Sequence, residues 1–462
     1  MGRIFDRRPA AAKRFVSRCL MLALALCSYV GAPARAANVT ANVNYNSPRQ
    51  TFEGFGASAT WVANDLDKFS AARQTQILDL LYDTSKPGAG LSWVRVGSFL
   101  CNFTPSPGVY DWNHWGIQSE MRWLQRVNAA YGVNRYMVST WSPPAWMKSN
   151  NSCTGGGHVL SQYYPDLAAL KVEWLKRARA QLGFEAQVES VQNEPNMRTT
   201  YDSCEWTTSE ISAFVANNLQ PALAAGGLTV RIMAPEPAYY SNFDASWGSP
   251  ILSNPSARAA ISIVATHGYG KTDDLGKPCN SCAQYNKPIW QTEDSNLNGQ
   301  YTGSIDDGMT WATEIYKAMN AGRFSAYFYW WVMDLNGGNE GLIHADPTTD
   351  SFQVPKRLYV LGQFSRFIRP GSVVLASTSS DPTLQVTAVR PAGGNVTVVL
   401  ANTGRNSHTV TVNLNGLTGP PAGLTPYRTS ASENQAPLGT VPVSSGAVTV
   451  TVPSKSVVTL VG

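Results

Sequence analysis

Short apolar runs with β-branched and aromatic residues recur through the middle of the chain: Thr51–Gly56, Ser92–Gly97, Tyr136–Trp141, Val188–Glu194, Thr229–Pro235, Ser262–His267, Pro288–Glu293 and Ala326–Trp331. Between most of them the apolar positions switch to helical spacing, as in Ser70–Leu81, Gln118–Ala130 and Leu167–Gln181. Strands buried on both faces and separated by amphipathic helices predict a parallel sheet. Eight such units over roughly 280 residues are the size of a (β/α)8 barrel. From about residue 370 the pattern changes to strict alternation, in Leu384–Ala388, Val396–Val398, Thr409–Leu414 and Val448–Val452, punctuated by Gly, Pro, Ser and Thr. That tail predicts an antiparallel β-sandwich. Val39–Tyr45 alternates as well and is expected to add a strand to the same sandwich, lacing the two parts together. The expected organisation is a leader over 1–36, a sandwich strand over 37–50, the barrel over 51–369 and the sandwich over 370–462.

The leader follows from its own pattern. Seven basic residues and one acid surround an apolar run from Cys19 to Val30, which ends before Ala34-Arg35-Ala36. This is the order of a secretory signal peptide, and the apolar run is too short to span a membrane. A secreted or periplasmic location is expected. The leader also changes the charge. It carries seven of the 36 basic and one of the 31 acidic residues, leaving 29 against 30. Nothing basic remains to select nucleic acid or an anionic membrane, so the expected partner is neutral or weakly charged and the expected state a monomer without membrane insertion. Of the five cysteines beyond the leader, Cys279 and Cys282 lie close enough to pair. Cys153 and Cys204 could join two neighbouring loops; with Cys101 the number is odd, so one is left over, and the spacing does not single it out.

Barrel enzymes carry their chemistry at the C-terminal ends of the strands. Two of the runs end in glutamate: Val191-Gln-Asn-Glu194-Pro on the fourth and Trp290-Gln-Thr-Glu293-Asp on the seventh, 99 residues apart. These strands lie across the barrel mouth from one another, so both carboxyls can face one pocket. Glycoside hydrolysis needs such a pair, one protonated and one ionised. No His/Asp/Glu set has metal-ligand spacing, and no glycine-rich segment has the form of a phosphate cradle, so neither metal nor cofactor is expected.

The Asn193-Glu194-Pro195 triplet resembles the glycosidase clan with its acid/base on strand four and its nucleophile on strand seven. Phe52-Glu-Gly-Phe-Gly56, Trp141-Ser-Pro-Pro-Ala-Trp-Met147, His267-Gly-Tyr269 and Gln363-Phe-Ser-Arg-Phe-Ile-Arg-Pro-Gly371 extend the likeness over roughly 50–460. Together they look like glycoside hydrolase family 30, and most like its bacterial xylan-active members. The resemblance implies double displacement with Glu194 as acid/base and Glu293 as nucleophile. It implies sugar or nucleophile contacts from Asn193, Trp141, His267, Tyr269, Trp331 and Arg95. It makes β-1,4-xylan the first expected substrate. β-1,6-glucan, β-1,6-galactan and glucosylceramide are family alternatives. Glucuronic-acid-dependent xylanases of the family hold the acid near strand eight, where Lys356, Arg357 and Tyr359 follow, but the acidic stretch from Asp334 to Asp350, poor in Lys and Arg, argues against that dependence here. A carbohydrate-binding protein without catalysis, or an exported scaffold adhering through its β-domain, would need neither carboxyl.

Overall fold

The computed structural model describes residues 37–270, 274–297, 299–335, 338–394 and 396–462. The predicted leader lies outside them. The chain begins in a long strand, β1 (Ala37–Phe52). It then enters a closed eight-stranded parallel barrel of β2 (Gly54–Ser58), β3 (Trp93–Gly97), β4 (Tyr136–Ser139), β5 (Val188–Ser190), β6 (Arg231–Pro235), β7 (Ile261–Thr266), β8 (Ile289–Gln291) and β9 (Ala326–Trp331). All eight predicted runs supply one barrel strand each. The first differs at its start. Thr51 and Phe52 still pair with the sandwich, at Val373 and Ser372, and the barrel strand begins only at Gly54. Gly54 has φ +127°, a conformation in which an L side chain is strained, and it turns the chain from one sheet into the other.

Side chains fill the barrel interior. Trp93, Met137, Val188, Met233, Ile263, Trp290, Ala326 and Phe328 meet there and are fully buried. Trp93 and Trp290 cross edge to face at 5.1 Å between ring centres, and Phe328 stacks on Trp290. A Cβ on Gly56 would lie 2.3 Å from the Phe328 ring, so the second glycine of the Phe-Glu-Gly-Phe-Gly motif makes room for this layer. The helices around the barrel end where their sequences provide caps. Ser70 accepts from the Arg73 amide at the start of Ala71–Tyr82, and Gly132 and Gly183 close Trp115–Tyr131 and Tyr164–Leu182 in the left-handed conformation.

Beyond the barrel lie three short strands, β10 (Asp334–Leu335), β11 (His344–Asp346) and β12 (Ser351–Gln353). The tail then adds β13 (Ser372–Ser379), β14 (Leu384–Arg390), β15 (Thr397–Asn402), β16 (His408–Asn415), β17 (Gly423–Thr429), β18 (Ala436–Pro437), β19 (Val441–Pro442), β20 (Ala447–Val452) and β21 (Ser456–Val461). The tail strands and β1 form one ten-stranded sheet, in the order β18-β17-β21-β15-β14-β13-β1-β16-β20 with β19 beside β17. Its core is the alternate residues of those strands, among them Val39, Ala41, Val43, Leu375, Val398, Val410, Val450 and Leu460. The expected antiparallel pattern needs one correction. β1 runs antiparallel to β13 but parallel to β16, because a strand arriving from the far end of the chain need not follow the hairpin order of the tail.

The disulfides are Cys101–Cys153 and Cys279–Cys282, and Cys204 is the free, buried thiol. The suggested Cys153–Cys204 pair is therefore not formed. The two loops are indeed neighbours, with the Ser203 amide donating to the Cys153 carbonyl at 3.0 Å. That pairing leaves Cys204 Sγ 3.3 Å from the Gly157 carbonyl instead, and burial pushes its thiol up to about 12.

Candidate active site

The strand ends deliver the predicted glutamates to one place. After β5 the chain stays pinned to its neighbours. The Val191 amide donates to the Met233 carbonyl, Asn193 to Thr140 and Glu194 to Glu236. Glu194 then takes φ +45° ahead of Pro195. After β8 the Thr292 amide donates to the Thr266 carbonyl, and the Glu293 carbonyl accepts from Gly268. A carboxylate oxygen of Glu194, one of Glu293 and a ring nitrogen of His267 all lie within 4.8 Å of one another. Both glutamates are nearly buried, at 6% and 5% exposure.

Arg95, at 0% exposure on β3, is the hub. One guanidinium nitrogen donates to Glu293 Oε2 at 2.5 Å. The other donates to Asn193 Oδ1 at 2.6 Å and to Glu236 Oε1 at 3.1 Å. Its face lies 4.6 Å from the Trp141 ring and 5.7 Å from Trp330. Tyr269 donates its hydroxyl to the other oxygen of Glu293 at 2.9 Å. His267 Nδ1 lies 3.1 Å from Glu194 Oε1, and its Nε2 lies 3.5 Å from Glu236 and 3.7 Å from Glu293. Glu236 also accepts from Ser139 at 3.1 Å and from Ser190.

Three carboxyl groups thus surround two cations. Burial disfavours charge on His267, but Glu293, Glu194 and Glu236 outweigh it and raise the imidazole to about 9. Burial works against Glu236 too, yet Arg95 and then His267 and Ser190 hold it down to about 2. Burial pushes Glu293 up, and His267 and Arg95 pull against it. The cluster Glu194, His267 and Glu293 has the spacing of a metal site. However, a protonated imidazole and a guanidinium already occupy its charge balance, and a metal would have to displace both.

These shifts give stability a pH profile. His267 is raised above its ordinary 6.5, so its contribution is complete below that value and is lost as pH rises through about 9. Glu236 is depressed from 4.5, so its contribution is present above 4.5 and is lost as pH falls towards about 2. The expected result is a melting temperature that declines between about pH 6.5 and 9. In His267→Gln it is lower overall but flatter across that window. Thermal unfolding followed by circular dichroism at several pH values measures it, and an equal slope in both proteins would refute the assignment.

Of the eight residues singled out in the sequence for the site, six, namely Arg95, Trp141, Asn193, Glu194, His267 and Tyr269, meet around a seventh, Glu293. Trp331 differs. It stands one residue beyond Trp330, where the register of β9 on β2 slips between Tyr329 and Trp331, so regular alternation does not run through this strand end. Trp331 donates its indole N–H to the Thr60 carbonyl and stacks behind Trp330 at 5.0 Å. Trp330 meets Trp61 and Trp141 at 5.9 and 6.0 Å. No period in the sequence points to Trp330, because the strand is irregular where it ends. Glu236 was within reach, since it follows β6 as Glu194 follows β5. Trp61 and Tyr201 sit on loops, where no period points. Tyr201 lies 5.9 Å from Trp61 and donates its hydroxyl to Glu194 at 3.3 Å. The basic residues after β9 are committed elsewhere. Arg357 is buried against Asp307 at 2.8 Å and Tyr329, and Lys356 binds Asn434 and the Glu433 carbonyl.

Residues 52–360 match the model of Glycosyl hydrolase family 59, and residues 371–460 match the Glycosyl hydrolase family 30 beta sandwich domain. Both parts occur together in the catalytic domain of GH30 xylanase C from Talaromyces cellulolyticus. That structure is 25% identical with a TM-score of 0.80, covering 91% of this chain and 99% of its own. By the match over more than half of its length this chain belongs to the family 59 glycosyl hydrolases, and its tail is the family 30 beta sandwich domain. It is an O-glycosyl hydrolase, with xylanase-like relatives and structural neighbours of family 30. Glucuronoxylanase XynC of Bacillus subtilis (strain 168) is 28% identical over 74% of this chain and 78% of its own length. Endo-beta-1,6-galactanase of Hypocrea rufa is 24% identical over 85% and 86%. No helix among the described residues is long and apolar enough to cross a membrane.

Proposed function

We propose that this chain is a secreted retaining hydrolase of β-linked polysaccharide, acting first on β-1,4-xylan. The observation that carries the mechanism is the approach of Glu194 and Glu293 oxygens to within 4.8 Å across one pocket. Retaining enzymes hold their two carboxyl groups about 5–5.5 Å apart, whereas a water-activating pair stands off by about 6.5–9.5 Å. Glu293, gripped by Arg95 and Tyr269, is the nucleophile that attacks the anomeric carbon. Glu194 touches no guanidinium and hydrogen-bonds His267 and Tyr201, so it donates the proton to the leaving oxygen. It then deprotonates the water that hydrolyses the glycosyl-enzyme. Asn193, oriented by Arg95, hydrogen-bonds the sugar 2-hydroxyl. Trp141 and Trp330 make the floor on which the ring lies. Export rests on the leader pattern, and xylan on the glucuronoxylanase and xylanase relatives.

A β-1,6-linked substrate is the second reading. The galactanase relative favours it, as does the burial of Arg357 and the engagement of Lys356, which takes both away from holding a glucuronic acid side group. A product profile on xylan, glucuronoxylan, β-1,6-glucan, β-1,6-galactan and glucosylceramide decides between them. Short xylo-oligosaccharides support the first reading, and cleavage of a 1,6-linked polymer with silence on xylan removes it.

Glu194→Gln tests the acid. Its kcat on the polysaccharide should fall by about 10²–10⁴. An aryl glycoside whose leaving group needs no proton should still glycosylate the enzyme, and azide should restore turnover by replacing the water that Glu194 no longer activates. Equal losses on both substrates, without azide rescue, would move the acid elsewhere.

A further inference from the structure

The end of the barrel remote from the glutamates holds a cavity of about 880 Å³ whose charge the glycosidase reading does not use. Its walls come from the N-terminal approaches to β2, β4, β8 and β9, together with the last turn of β1. Four cations line it, Arg49, Arg135, Lys287 and Arg323, against one carboxylate, Glu53. Glu53 is already engaged, since Arg231 binds it at 2.8 Å and Trp290 donates to it. Arg49 and Lys287 spend hydrogen bonds on the Asn320 and Ile261 carbonyls, which do not neutralise them. Among the described residues none of the four cations has a carboxylate partner.

The concentration is local, because the chain beyond its leader has 29 basic and 30 acidic residues. It also works against itself. Burial and then the nearby Arg323 lower Arg49, and burial and then Arg135 lower the neighbouring Arg369 to about 10. Arg323 holds its place at φ +58°, a conformation that glycine or asparagine adopts with less strain. Mutual repulsion of this kind is relieved by a bound anion, and a concave wall concentrates the field that attracts it.

We propose that this cavity is a second glycan site, which binds a stretch of uronic-acid-bearing polysaccharide away from the catalytic cleft. The volume falls in the range of cavities that hold a ligand of several rings. The cations come from separate segments around the rim, which matches carboxylates spaced along a polymer better than the convergent donors of a single phosphate. Thr51 and Ser325 place uncharged hydrogen-bonding groups between them, as sugar hydroxyls require. Such a site would tether the enzyme to acidic cell-wall material while the opposite mouth works on its own substrate.

Calorimetry on the full chain with an oligogalacturonate, a neutral xylo-oligosaccharide of equal length and inorganic phosphate tests the proposal. The oligouronate should bind at low salt and weaken steeply as salt is raised. The double variant Arg49→Ser, Arg323→Asn should weaken it roughly tenfold, as for two exposed charge pairs lost together, without changing kcat on a soluble substrate. Asparagine tolerates the left-handed backbone, and unchanged turnover and melting temperature show that the variant is folded. The proposal is overturned if the oligouronate does not bind, if the variant binds it equally well, if phosphate alone binds, or if the neutral oligosaccharide displaces it. Binding is read without turnover, so its failure leaves the assignment of the two glutamates untouched.

Discussion

Glu293→Gln should abolish turnover, lowering kcat by roughly 10⁵ while leaving oligosaccharide affinity within a few-fold. An amide keeps the size of the side chain and can still meet Tyr269, but it cannot attack carbon. Loss of an attacking group in a preorganised site costs about this much in other hydrolases. The substitution also relieves Arg95 of its closest carboxylate while Glu236 remains to balance the charge, so folding should survive. Retention and identity are tested together with a fluorinated glycoside that forms the covalent intermediate but hydrolyses it slowly. In the parent enzyme, mass spectrometry of the proteolysed adduct should place the sugar on Glu293. A label on any other residue, or an inverted product seen by proton NMR of the initial anomer, would defeat the double-displacement reading.

Arg95→Met should damage stability and catalysis at once. The guanidinium is fully buried between Glu293 and Glu236, which lie on different strand ends, and it also fixes Asn193. Removing one partner of a buried ion pair leaves uncompensated charge in a medium that cannot solvate it, a cost of about 3–5 kcal/mol. Two carboxylates are stranded here, so the upper part of that range is expected, measured as a loss of unfolding free energy in denaturant. The ionisation of Glu293 becomes unfavourable in the same step, and kcat falls with it. Arg95→Lys separates the two effects. Lysine restores one charge but cannot reach Glu293, Glu236 and Asn193 from a single ammonium. It should regain much of the stability and little of the rate. Full recovery of activity by lysine would show that Arg95 acts by charge alone.

Both predictions concern groups whose types and positions were readable from the chain, and the reason is periodic. A barrel strand is a short, doubly buried run, and its last residue faces the mouth. Strand ends therefore announced Glu194 and Glu293, and the switch to period two announced the tail. Sequence reasoning stopped where that logic is absent. Trp330 was not named beside Trp331, because the register on β2 slips between them at the strand end. Cys101 was left without an assigned partner, because a disulfide depends on two loops meeting and neither loop has a period that says where it goes.

Composition and spacing thus determined the barrel, the tail sheet and the pair of glutamates, because local alternation and helical spacing are imposed by which faces must leave water. Only the tertiary structure decided the parallel seat of β1 beside β16, the Cys101–Cys153 bond, the contact of Trp330 with Trp61 and Trp141, and the sharing of Arg95 among Glu293, Glu236 and Asn193. It alone also gathered four cations from distant segments beneath the barrel. Each of these joins residues far apart in the chain, and their meeting is set by how the closed barrel and its sheet pack, which no stretch of sequence carries locally.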